Sequence, residues 1–186
     1  AHNLGIVQVN DAGDAWRTVW GLTDGGRPTS ELCSHFLIHS VRMDATDGAS
    51  RVLYHAHPDN VITLTKVLPL DARTFSRALW KAMTECIIVF PMGVGVVDWM
   101  VPGGADIARA TSELMKVYDA SVWAQHGLYG AGVDLDEAFG LIETAEKAAE
   151  IYMKIAHLPL VNTITDEQMH LLEGRFGVKA REGYLS

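Results

Sequence analysis

The chain is poor in cysteine, in cationic side chains and in long apolar runs, and each shortage closes off a class of protein. Cys33 and Cys86 are the only two cysteines in 186 residues, and no C-x-x-C spacing joins them. A disulfide framework therefore has little to be built from, and a reduced, cytosolic setting fits best, with both thiols expected as small buried hydrophobes. Lysine and arginine total 15 against 23 acidic residues, a formal net charge of -8. That balance argues against nucleic acid or an anionic membrane as partner, since those surfaces demand clustered cations. An anionic small substrate is still compatible, held locally by backbone N–H groups, hydroxyls or a metal. Nothing resembles a secretory leader or a membrane span, and there is no internal repeat, low-complexity segment or linker.

What is present is globular: 48% hydrophobic and 20% charged residues, enough for a single domain over 1–186 with a substantial core. The chain runs from Ala1 almost directly into a strand-like stretch without a start methionine, so it reads as the later part of a longer product.

Leu4 to Val9 and Ala15 to Trp20 read as a hairpin around the turn cluster Asn10 to Asp14. From Ser30 onward, Leu32, Phe36 and Leu37 fall at helical spacing with Thr29 or Ser30 as N-cap, which places Glu31 in the first helical turn. The run Arg51 to His57 reads as a half-buried strand. A helix is expected over Asp59 to Val67, and another from Asp71 with Phe75, Leu79 and Met83 on one face. Ile87 to Phe90 is expected as a buried strand and Val94 to Trp99 as the next. Ile107, Ala110, Leu114 and Val117 mark a further helix, and Ser121 to Gln125 a strand ending at His126-Gly127 before a loop over Gly127 to Gly130. Asp136 to Ala156 is the longest helical pattern, and Thr165-x-x-Gln168 a capping box opening a last helix. The hairpin and the short Phe90-to-Val94 connection call for antiparallel pairings. The expected class is α/β, a three-layer αβα sandwich with a mixed, largely antiparallel central sheet.

Within this frame His55-Ala-His57 stands out. Side chains along a strand alternate faces, so both imidazoles emerge on one side and can grip one metal ion. A catalytic zinc takes three protein ligands and keeps a position open. His126, where a strand meets a loop, is the candidate third, since sheet ends are where α/β proteins place ligand chemistry. The alternative is three separate histidines. Glu31 is the candidate acid or base, against the reading of a carboxylate that only favours the helix dipole. Glu85 stands before the expected buried strand, where a carboxylate finds a cation or suffers desolvation. His35 and His39 share a helix face at i and i+4, more often packing or solvent exposure than metal binding. Trp80 and Trp99 read as core or interface aromatics. Gly93-Val-Gly95 lacks the helix-opening context of a dinucleotide loop.

Several strings also resemble the zinc-dependent class II sugar-phosphate aldolases of the aldolase and adducin-head family. They are Trp20 to Thr23, Pro28-Thr-Ser-Glu-Leu32, His55-Ala-His57, Thr84-Glu-Cys86, Phe90 to Gly95, Trp99-Met-Val-Pro-Gly103, His126-Gly127 and Phe139 to Lys147. They span nearly the whole chain in the family's order. His-x-His with a later His-Gly is the superfamily's mark, whereas the Trp-Gly-Leu-Thr and Trp-Met-Val-Pro-Gly strings are similar to its rhamnulose branch. The resemblance implies Zn2+ on His55, His57 and His126, and Glu31 as proton shuttle. It also implies Thr29 and Ser30 near the substrate phosphate and Glu85 as an additional ligand in the resting state. The activity it implies is reversible cleavage of L-rhamnulose 1-phosphate to dihydroxyacetone phosphate and L-lactaldehyde, in a cytoplasmic homotetramer. Fuculose-phosphate aldolases, ribulose-phosphate 4-epimerases and methylthioribulose-phosphate dehydratases share the triad, and an adducin-like interaction domain shares the fold without needing the metal. The front departs from the pattern: family members carry Asn-Gly-Gly and Gly-Ser-Gly phosphate loops there, and this chain has neither.

Overall fold

A computed structural model describes residues 2–186. In chain order its elements are β1 (Gly5–Val9), β2 (Trp16–Gly21), α1 (Leu32–Ala45), β3 (Val52–Ala56), α2 (Asp59–Leu64), α3 (Ala72–Ala82), α4 (Glu85–Val89), β4 (Gly95–Val97), α5 (Ala105–Met115), β5 (Ala120–Trp123), β6 (Gly127–Gly132), α6 (Leu135–Ile155) and α7 (Asp166–Phe176). The antiparallel hairpin β1–β2 forms a sheet of its own. Its turn is fixed locally: the Asn10 side-chain oxygen accepts from the backbone N–H groups of Asp14 and Ala15, both at 3.1 Å. A two-stranded ribbon buries little, and Trp16, Val19 and Trp20 are exposed on it.

The main sheet has the order β3-β6-β5-β4, with β3/β6 and β6/β5 antiparallel and β5/β4 parallel. Helices α1 and α5 pack on each other and against β3, β4 and β5, while α6, with α2 and α3 against it, covers the opposite face. Strand alternation divides the apolar residues between two cores. Val122 and Leu128, paired across β5 and β6, point to the larger one with Phe75, Leu79, Trp80 and Leu141. Trp123, Tyr129 and Ala131 point the other way, to Ile38, Ile107 and Met115. Each fully buried side chain of this size contributes about 1.5–3 kcal/mol, so both faces of the sheet are strongly held.

Helix starts follow local chemistry. Asp71 accepts from the Thr74 N–H at 2.8 Å to open α3, and Asp134 accepts from the Glu137 N–H at 2.8 Å to open α6. The capping box at α7 is complete, with Thr165 and Gln168 each accepting from the other's backbone N–H.

Several expectations are corrected. Ile87 to Phe90 belongs to α4 and its C-cap, not to a strand, so the link to β4 imposes no antiparallel pair. Four consecutive apolar residues fit a buried helix turn as well as a strand. Gly127 to Gly130 is not a loop but part of the inner strand β6. Helix α1 begins at Leu32, so Glu31 precedes it, and neither Thr29 nor Ser30 caps it. Cys86 is buried, its thiol pKa pushed up by burial, but Cys33 is exposed. Among the described residues no helix is long and apolar enough to cross a membrane.

Candidate functional site

Strand β3 delivers His55 to the end of the sheet beside β6, and His57 follows directly past the strand's last residue. The turn from β5 to β6 brings His126 to the same place; its backbone N–H donates to the Trp123 carbonyl at 3.1 Å. One ligand atom from each of His55, His57 and His126 lies within 4.8 Å of the other two. The close approach depends on Gly127. A Cβ there would come 2.5 Å from the Ala56 carbonyl oxygen and 2.9 Å from Cδ2 of His57.

The donors fit a metal. His55 Nδ1 lies 3.2 Å from the Leu128 carbonyl oxygen, which can only accept, so this nitrogen carries the proton. The lone pair is then on Nε2, which is buried and has no hydrogen-bond partner within the protein. A backbone acceptor that fixes the tautomer in this way is the usual support of a metal-binding imidazole. The rings of His55 and Tyr129 stack at 4.1 Å between centroids, and His57 Nε2 lies 3.2 Å from His126 Nε2. Burial, then His57 beside it, depress the pKa of His55 to about 4. Burial and His57 also lower that of His126. Neutral imidazole is the form that ligates.

Glu31 enters from the loop before α1. Its carboxylate accepts from the Thr29 hydroxyl at 3.0 Å and the Ser30 hydroxyl at 3.1 Å, and its own N–H donates to Thr29 Oγ1 at 3.2 Å. Oε1 stands 4.0 Å from His126 Nε2. Burial pushes the Glu31 pKa up, but the two hydroxyl donors, with His55 and His126 beyond them, outweigh it and leave the group below its ordinary value. The residues expected to cap a helix thus hold an ionised carboxylate beside three imidazoles.

Glu85 is not brought into the histidine group. It is exposed in the first turn of α4. His35 packs edge-on against Tyr129, and burial lowers the pKa of both His35 and His39. Trp80 is fully buried, whereas Trp99 is exposed.

A sequence profile for the family described as Class II Aldolase and Adducin N-terminal domain matches residues 2–153. The chain belongs to that family. Within it, the chain is 50% identical over 187 aligned positions to a protein named rhamnulose-1-phosphate aldolase from Listeria innocua, covering 100% of this chain and 68% of that protein. Identity is also 50% to the protein of the same name from Pectobacterium atrosepticum, again with 68% of it covered. The crystal structure of a sugar-phosphate aldolase from Thermotoga maritima superposes with a TM-score of 0.68 at 30% identity, covering 79% of this chain and 61% of that one. An L-fuculose 1-phosphate aldolase, at 24% identity and a TM-score of 0.61, shares the fold. The αβα arrangement around a mixed sheet is therefore the class II aldolase fold, and the chain spans about two thirds of the length of these relatives.

Two features of this class II aldolase site escape sequence reasoning. Tyr129 is the cross-strand partner of His55, which alternation along β6 would have revealed had that segment been read as a strand. The carboxylate of Glu146, on α6, accepts from the Asn60 and Val61 N–H groups just past His57. It lies 89 positions from His57 in the chain, and no local signal links them.

Proposed function

We propose that the chain is a metal-dependent lyase that cleaves L-rhamnulose 1-phosphate reversibly to dihydroxyacetone phosphate and L-lactaldehyde. The observation that carries the reading is the juxtaposition of the Glu31 carboxylate with three convergent imidazoles. The name borne by relatives at 50% identity supports the choice of substrate.

His55, His57 and His126 are the proposed ligands of Zn2+. When bound, the ion supplies Lewis-acid stabilisation of the negative charge that develops on the ketone and neighbouring hydroxyl oxygens as the carbon–carbon bond breaks. Three uncharged ligands suit this role, because they leave the cation its full charge. Cleavage removes the C4 hydroxyl proton, breaks the C3–C4 bond and leaves its electron pair on the three-carbon fragment, where C3 takes up a proton. Glu31 is the proposed carrier of that C3 proton: it delivers it in cleavage and removes it in condensation. A carboxylate must be ionised to act as the base, and the Thr29 and Ser30 hydroxyls favour that state. Thr29 and Ser30 are exposed residues beside the carboxylate, which supports placing the substrate phosphate near them. The same reading includes a resting-state contact from Glu85, a cytoplasmic location and a homotetramer. The exposed apolar residues of the β1–β2 hairpin support the last of these.

The test is to supply the purified protein with dihydroxyacetone phosphate and either D- or L-lactaldehyde, identify the ketose phosphate formed, and measure bound zinc by elemental analysis. L-Rhamnulose 1-phosphate from the L-aldehyde, with stoichiometric zinc, is the expected result. Preference for the D-aldehyde would reassign the substrate. Stoichiometric zinc without any aldol product would point to an epimerase or dehydratase, and absence of both to an interaction domain.

A further inference from the structure

Helix α2 leaves the site at one end and returns to it at the other. It starts immediately after His57-Pro58, with Pro58 at its N-cap. The carboxylate of Glu146 accepts there from the Asn60 N–H at 3.0 and 3.1 Å, the Val61 N–H at 3.0 Å and the Asn60 side-chain amide at 2.7 Å. These are donors that a helix start otherwise leaves unmet, so one acidic side chain anchors the segment directly behind His57.

At the far end Thr65 is buried. Its hydroxyl donates to the Ile62 carbonyl at 2.7 Å and accepts from the backbone N–H of Gln125 at 3.0 Å. Lys66 adds a contact from Nζ to the Gln125 side-chain oxygen at 3.3 Å. Gln125 is a non-glycine residue at φ 61°, in the left-handed region. A residue stays there only when its surroundings over-determine it, and Thr65 and Lys66 grip it at both backbone and side chain. The next residue is His126.

We infer that α2 is a brace setting the separation of His57 and His126, with Glu146 and Thr65 as positioning residues at its two ends. The two imidazoles come from distant parts of the chain, yet their Nε2 atoms stand 3.2 Å apart. Beside the Ala56–Leu128 pairing of β3 and β6, the brace is a second mechanical link between them: it fixes one ligand's exit and the other's turn. Glu146 and Thr65 lie outside the histidine group, and act through the neighbouring backbone of Asn60, Val61 and Gln125. The inference rests on the metal-centre reading above.

The test uses the whole chain and zinc as the probe. Affinity is measured by competition with a chelating dye, and the visible spectrum is recorded with cobalt in place of zinc. Thr65→Val, which keeps the shape and removes the acceptor, is expected to lose about 10–100-fold in zinc affinity and to shift the cobalt bands. Thr65→Ser, which restores the hydroxyl, is expected to recover the unsubstituted value. Glu146→Gln puts an amide donor against backbone donors and is expected to lose about tenfold, at the lower end of the same range; being isosteric, it provides the test if Thr65→Val does not fold. A lower melting temperature with unchanged zinc affinity and cobalt spectrum would make these residues merely structural and overturn the inference. If the unsubstituted protein does not bind zinc, the metal-centre reading itself falls and the inference falls with it.

Discussion

Oε1 of Glu31 stands 4.0 Å from Nε2 of His126, although the two side chains come from different layers of the molecule. Glu31 precedes α1 on one face of the sheet, and His126 sits in a turn of the sheet itself. Substituting Glu31 by Gln keeps the shape and abolishes the charge. The expected outcome is zinc content close to the unsubstituted protein's and a turnover lower by about 10²–10⁴-fold, the usual contribution of a positioned acid or base. Unaltered turnover would remove Glu31 from the mechanism.

Thr29→Val deletes one of the two hydroxyls that donate to this carboxylate. Burial then meets less opposition, and the Glu31 pKa rises toward its ordinary value. In a pH–rate profile the acid limb should move to higher pH, because the base is protonated sooner as pH falls. An unmoved limb would show that another group controls it.

Gly127→Ala tests the close approach beneath the histidines. The added Cβ would meet backbone at 2.5 Å, which a side-chain rotation cannot relieve. Strands β3 and β6 would have to separate, at a cost of about 2–3 kcal/mol, and zinc stoichiometry should fall with the melting temperature. A variant that retains full zinc would mean that the sheet end is more pliant than its packing implies.

Acid should weaken the metal-free protein within a defined window. With its pKa depressed from 6.5 to about 4, His55 takes up a proton in the unfolded chain before it does so in the folded one. Stability should therefore decline as pH falls from about 6.5 to about 4, and this contribution should level off below that. Denaturant titrations across the range should show a flatter curve for His55→Gln.

Arg42, buried on α1, donates to the carbonyls of Met115 at 3.1 Å and Tyr118 at 3.2 Å and pairs with the Asp119 carboxylate. Arg42→Met should cost about 3 kcal/mol, since it strands those acceptors, as a shift in denaturant midpoint would show.

The parts legible in the sequence were those whose causes are local. The Asn10 turn, the helix start at Asp71 and the Thr165–Gln168 box each act within a few residues, and the His-x-His alternation needs only a strand. Ile87 to Phe90 failed because an apolar run carries no period that separates helix from strand. β6 failed for a tertiary reason. Its glycines are poor strand formers, yet a Cβ on Gly132 would come 2.8 Å from the Ala138 backbone nitrogen, so α6 lies where only glycine leaves room. The chain order of His55, His57, His126 and Glu31 was readable. Their convergence, and the reach of Glu146 and Thr65 to the histidine segments, belong to long-range packing.

Because the imidazoles ride on the sheet and the carboxylate rides ahead of α1, the gap between acid–base group and metal ligands is a property of how one slab is seated on another. Ile38, farther along α1, shares a core with Ile107 and Met115 of α5 and with Trp123, Tyr129 and Ala131 of the sheet, and Arg42 ties α1 to the end of α5. Substitutions in this seam, remote from every reacting atom, would tune the proton-transfer distance as a shim tunes the gap of a bearing, and so offer a means of changing rate without changing ligands.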